Sequence, residues 1–312
     1  MAHEPNNYSA TQENTNLTAP SPRFNGAGGA PLEKDFSNNG NPYHLGANHD
    51  SDDALKRIQT AGSISISPEL FEKLYLTPQN RVHGDLRKTF GNPTPLALIG
   101  FLLCLSPLSC DLMGWRGAGG NGAAGIGSYF FFGGLLMVLG GIGEWILGNT
   151  FPFVVFSSFG AFWLTWAATL QPFYGAYAAY STTSNPADGI NTVGFRSSFA
   201  FFFLAMGLMC FIYLICSLRT NIVFFLIFLT LVIAFGCLAG AYWNLNLGNV
   251  ALAVRLQTTA GACTFVTSAC GWWIFFAIML AALDFPFQIP VGDLSHIIRG
   301  ASERARDNAK NV

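Results

Sequence analysis

One carboxylate stands out in this 312-residue chain: Glu144, in the run Gly143-Glu144-Trp145-Ile146-Leu147-Gly148-Asn149-Thr150-Phe151, where its surroundings are almost wholly apolar. An ionised side chain at mid-bilayer costs about 2.5 to 3.5 kcal/mol on insertion scales, so such groups persist where they have a partner or a use. Glu144 is therefore a candidate proton-coupling carboxylate, or else a hydrated anchor or a hydrogen-bond partner near a helix boundary. Asp111 and Asp284 lie closer to the ends of apolar stretches and read as interfacial. Two places combine an asparagine with a helix start. In Gly91-Asn92-Pro93-Thr94-Pro95-Leu96 the prolines remove backbone donors and bias the preceding residues away from helix. Asn149-Thr150-Phe151-Pro152 opens the next helix but one in a similar way. A helix N-terminus offers partial positive charge and free N–H groups, which hold a small anion without a buried lysine. No lysine occurs from Pro95 to Phe285. The same residues also serve as plain helix caps, so Asn92, Pro93, Thr94, Pro95, Asn149 and Thr150 are pathway candidates under one reading and caps under the other.

Little else in the chain suggests chemistry. The five histidines (His3, His44, His49, His83, His296) lie outside the apolar stretches, and there is no nucleophile elbow, P-loop or zinc motif. The seven cysteines sit within apolar runs without CxxC or Cys/His spacing, which reads as buried thiols rather than disulfides or metal ligands. An enzyme, a metal site and a cofactor are all poor expectations. A formal net charge of −1 provides no basic field for nucleic acid.

The elements that must position these residues are membrane helices. Charged residues make up 11% of the chain, against about a quarter in soluble domains, while 51% are hydrophobic. The shortage is concentrated between about 95 and 285, where six pieces approach or exceed the roughly 20 residues that cross a bilayer. They are Pro95 to Met113, Ile126 to Leu147, Phe151 to Gln171, Ser197 to Ser217, Asn221 to Trp243 and Thr259 to Phe285. The expected fold class is an all-α integral membrane protein with six transmembrane helices. The short joints 148–150 and 218–220 make hairpins of spans two and three and of spans four and five. Basic residues cluster before the first span and after the last, which places both termini in the cytoplasm of a plasma-membrane protein. Spans one to three and four to six could form inverted halves, although no convincing internal repeat supports this.

The expected organisation is a disordered tail over 1–66, an amphipathic pre-membrane segment over 67–90, a membrane domain over 91–287 and a C-terminal tail over 288–312. The tail carries sequons at Asn7 and Asn16, and the 90-residue arm as a whole carries Ser/Thr-Pro steps at Ser21, Ser67 and Thr77. An amphipathic surface helix is expected over 68–76, with Ser67 as its cap. Glycines at helical spacing, Gly133, Gly134, Gly140, Gly141 and Gly143 with Gly236 and Gly240, read first as close helix packing and second as subunit contacts. With 29 Phe, a phenylalanine stripe alone decides nothing, yet rings or leucines meeting on an axis would make a hydrophobic constriction.

Three motifs in order, Asn92-Pro93-Thr94-Pro95-Leu96, then Gly143-Glu144-Trp145 with Gly148-Asn149-Thr150-Phe151, then Phe156-Ser157-Ser158-Phe159-Gly160-Ala161-Phe162-Trp163, resemble the acetate uptake transporter family. That family includes bacterial succinate/acetate-proton symporters and fungal acetate transporters, and the resemblance runs from about Gly91 to Phe285. It implies six-helix subunits assembled as a homo-hexamer, with acetate or another small carboxylate and protons as partners. Its signature reads Asn-Pro-Ala-Pro-Leu-Gly-Leu, so Thr94 and Ala97 are departures. It further implies a neck made by a Phe in the first span, a Tyr in the third and a Leu in the fifth. These fall on Phe101, on Phe159, where a hydroxyl is missing, and on Leu229. The leading expectation is proton-coupled or channel-like transport of acetate. The competing expectations are a passive pore for ammonia, urea or another neutral solute, and a membrane scaffold or sensor signalling through its N-terminal tail.

Overall fold

The computed structural model describes residues 89–292 and 294, together with the backbone of His44–Leu45 and Ser65–Ile66, two dipeptides that pair in parallel. The expected tail over 1–66 otherwise lies outside the described residues, as do its sequons, the Ser/Thr-Pro steps, the amphipathic helix over 68–76 and the C-terminal tail beyond 294.

Six helices are long and apolar enough to cross a membrane: α1 (Thr94–Met113), α2 (Gly120–Ile146), α3 (Thr150–Leu170), α4 (Val193–Ser217), α5 (Ile222–Asn246) and α6 (Val250–Ala282). They form a closed ring. α1 packs between α2 and α6, α2 against α3, α6 against α5, and α5 against α4. α3 and α4 meet through rings, with Phe162 stacked on Phe202 at 6.2 Å and Trp166 beside Phe199 at 5.7 Å. Outward-facing Phe131, Leu135, Leu204, Leu208 and Ile215 are exposed, as lipid-facing side chains must be.

The helices extend beyond the expected bounds chiefly at their starts, α2 by six residues to Gly120, α4 by four to Val193 and α6 by nine. α6 begins at Val250, nine residues before Thr259, because Arg255 is carried inside the helix with an exposed side chain rather than terminating it. α2 is composite: Tyr129–Leu136 is π-helical and Met137–Ile146 α-helical. Such i→i+5 turns are rare and leave no periodicity in a sequence. The segment after α6 also folds back. Val291 is buried, and backbone bonds from Ile222 N–H to Gly292 O (2.9 Å) and from Leu294 N–H to Thr220 O (3.1 Å) fasten it beside the α4–α5 joint.

The glycines of α2 serve helix packing within the subunit. A Cβ on Gly140 would stand 2.7 Å from the Cβ of Ala97, one on Gly143 2.6 Å from the Cβ of Pro93, and one on Gly133 2.5 Å from the Trp163 ring. In α5, Gly236 has open space around it and Gly240 meets only the tip of Leu256, at 3.3 Å.

An internal repeat emerges here that the sequence alone did not suggest. α2 and α3 are joined by Leu147-Gly148-Asn149, and α5 and α6 by Leu247-Gly248-Asn249. Both glycines are left-handed, at φ 78° and 74°, and both asparagine amides reach back to the carbonyl of the residue five before, Asn149 to Glu144 at 2.8 Å and Asn249 to Asn244 at 2.9 Å. The first turn lies at the end where α1 begins. α5 starts at that same end, so the second turn lies at the other, and the two three-helix halves run in opposite senses.

Candidate functional site

Glu144 sits near the C-terminus of α2 with no exposed surface. Its own helix dipole disfavours a carboxylate there, and the beginnings of two neighbouring helices reverse the balance. Thr94, the first residue of α1, donates its hydroxyl to Oε1, and Asn149, the N-cap of α3, donates Nδ2–H to Oε2 at 2.6 Å. Thr94 and Asn149 are themselves buried, so one carboxylate ties the starts of α1 and α3 together through charge-assisted bonds. Asn92 supports the arrangement from outside, its Oδ1 accepting the Thr94 N–H at 2.8 Å. Pro93 fills the space that Gly143 leaves open, and Pro95 occupies the first turn, where the missing donor costs nothing. Thr150 is exposed at the start of α3 and takes no part in the clamp.

The clamp changes the meaning of the two helix starts. The positive ends expected to receive an outside anion already face the protein's own carboxylate, and both asparagines act as caps or tethers.

Thr94 also lines a cavity together with Phe151, Phe156, Thr220, Phe224 and Phe228. Its volume is about 10 Å³, room for a single water and too little for acetate. Thr220 supplies the second hydroxyl-bearing wall, and the other lining side chains are apolar.

Beyond the cavity the interior closes with rings. Phe151 and Phe228 lie 6.2 Å apart, and Tyr213 of α4 rests against both, at 6.0 Å and 5.6 Å. Tyr213 continues to Phe159 at 6.5 Å, and Phe159 meets Phe101 edge-on at 6.2 Å. Phe101, Phe159, Tyr213 and Phe228 are all buried, so four helices contribute to one aromatic neck. The structure thus brings Phe101 and Phe159 together. Leu229 is half-buried and lies outside the hydrophobic cluster that includes Phe228 and Leu231 on either side of it. One hydroxyl enters the neck: Tyr213 Oη stands 3.0 Å from Ser158 Oγ. Sequence reasoning missed Tyr213, although it is the sole tyrosine of α4, which was the available signal.

A ring of six membrane-crossing helices with a buried carboxylate at one end and a cluster of packed rings within defines a polytopic membrane protein. The chain belongs to the GPR1/FUN34/yaaH family, whose description it matches over residues 75–296. It is 47% identical to the protein alcS of Aspergillus fumigatus over 234 residues, 75% of this chain and 86% of that one. It is 31% identical to the acetate transporter protein patA of Aspergillus clavatus over 207 residues, 66% of this chain and 80% of that one. In fold it resembles the bacterial acetate channel SatP, with a TM-score of 0.50 and 24% identity, over 65% of this chain and 99% of that one.

Proposed function

We propose that this chain carries acetate or a similarly small monocarboxylate across the membrane it spans, by a proton-coupled or channel-like route. The observation behind the reading is the unbroken series of contacts from a buried carboxylate, through a water-sized cavity, to a neck of rings. The name carried by the patA relative supports the choice of substrate.

Thr94 touches both clamp and cavity, so it is the residue through which the two communicate. A proton taken up by Glu144 turns one acceptor oxygen into a donor, which leaves Thr94 or Asn149 without its present partner and loosens the seam between α1 and α3 beside the cavity. Glu144 is on this ground the coupling residue, and Phe101 with Phe159 the constriction; Leu229 contributes at most from the edge of α5. The distribution of basic residues supports cytoplasmic termini, and the family resemblance supports a plasma-membrane hexamer.

A passive pore for ammonia, urea or another neutral solute is the second reading, favoured by the apolar character of the neck. Labelled-acetate flux into liposomes holding the purified protein, with and without an imposed pH gradient, separates the readings. Gradient-dependent acetate uptake supports the proposal. Flux equal to that of empty liposomes refutes it and leaves the neutral-solute pore and the scaffold or sensor reading, which ammonia or urea flux in the same liposomes tells apart. Phe101→Ala is expected to admit larger acids such as lactate, and unchanged acetate and lactate uptake removes Phe101 from the route.

A further inference from the structure

The neck holds a directional hydrogen-bond relay that the clamp does not explain. Ser158 Oγ–H donates to its own helix, to Val155 O at 2.9 Å. With its one proton so used, Ser158 acts as acceptor in the 3.0 Å contact with Tyr213, and the phenol is the donor. What Tyr213 Oη still offers is lone pairs alone. Around it stand Phe151, Phe159 and Phe228, which carry no polar side-chain atom. The titratable groups near Tyr213 are Cys210 and Cys216 on its own helix, and the α3 and α5 residues that touch it contribute none.

We propose that Tyr213 is the specificity-determining residue of the neck, and that its Oη accepts a hydrogen bond from the O–H of an undissociated short-chain carboxylic acid. The inference rests on the transport reading above and sharpens it. A carboxylate brings only acceptors, so between these rings it would meet an acceptor and lose its hydration without return. The neutral acid brings one donor and finds one acceptor. The proton then crosses with the substrate, and no bond is made or broken in the neck beyond this hydrogen bond.

The test uses the full-length protein in liposomes, with labelled acetate at fixed total concentration and pH varied. Wild-type flux should follow the undissociated fraction. Tyr213→Phe keeps the ring that the packing needs and removes Oη alone; a drop in flux of about fivefold to tenfold is expected, the worth of one hydrogen bond. Ser158→Ala releases the phenol proton to act as donor, and its flux should depend less steeply on pH. In Tyr213→Phe/Phe159→Tyr a hydroxyl returns from the ring 6.5 Å away, and partial recovery is expected. Size-exclusion profiles matching wild type show that each variant is folded. Wild-type flux that Tyr213→Phe leaves unchanged in rate and pH profile overturns this inference alone. Absence of wild-type flux overturns the transport reading and this one together.

Discussion

The two ends of the bundle carry the same turn and use it differently. At one end Leu147-Gly148-Asn149 puts Asn149 in the interior against Glu144; at the other Leu247-Gly248-Asn249 leaves Asn249 exposed, and the residue equivalent to Glu144 is Asn244. Asn244 turns its Nδ2–H onto Gly240 O of its own helix at 2.8 Å, where Glu144 reaches across to two other helices. A neighbour, Asn246, makes the cross-helix contact at that end, to Ser197 Oγ at 2.9 Å and Val193 O at 3.3 Å. The turn is thus a structural device that any hairpin of this kind can use. The charge is peculiar to one end, and so is the burial that makes it costly.

Five substitutions test this contrast, from the largest effect to the smallest. Glu144→Ala takes away the acceptor of two buried donors, at about 1 to 3 kcal/mol each, so thermal unfolding in detergent should show a loss of about 2 to 6 kcal/mol. A Tm equal to wild type would mean that the carboxylate does not hold α1 to α3. Asn149→Ala removes one charge-assisted bond and should cost about 1.5 to 3 kcal/mol, while Asn249→Ala, in the same turn at the exposed end, should stay within about 0.5 kcal/mol. Equal losses from the pair would erase the distinction between the ends. Gly140→Ala drives a methyl to 2.7 Å from Ala97 Cβ and 2.9 Å from its backbone nitrogen, overpacking expected to cost about 1 to 3 kcal/mol. Its counterpart Gly240→Ala meets only the movable end of Leu256 and should be neutral, or stabilise by up to about 1 kcal/mol through helix propensity. Should Gly240→Ala prove the more damaging, the close packing assigned to α2 belongs instead to α5.

Much of this was open to a reading of residues. Hydropathy located all six spans, since length and apolarity are local properties; Glu144 stood out because polar groups in lipid need a reason, and Asn92, Thr94 and Asn149 because they open helices. Their roles were less accessible. Thr94 and Glu144 are 50 positions apart, so only packing reveals that the helix starts serve the protein's own carboxylate. The apolar run around Leu229 offers no spatial anchor in sequence, and Phe228 faces inward beside it. The inverted turns escaped notice because three residues recurring at a distance carry no statistical weight until their backbone geometry is seen to match.

By itself the sequence determined a lysine-free, six-span membrane bundle and the residues able to carry polarity within it, because hydrophobic length and the cost of burying charge depend on composition along the chain. Which of those residues meet was decided by the tertiary structure alone. Hydrogen bonds and ring contacts depend on the rotation of each helix about its axis, and in spans apolar on every side that rotation is set by close packing between neighbours.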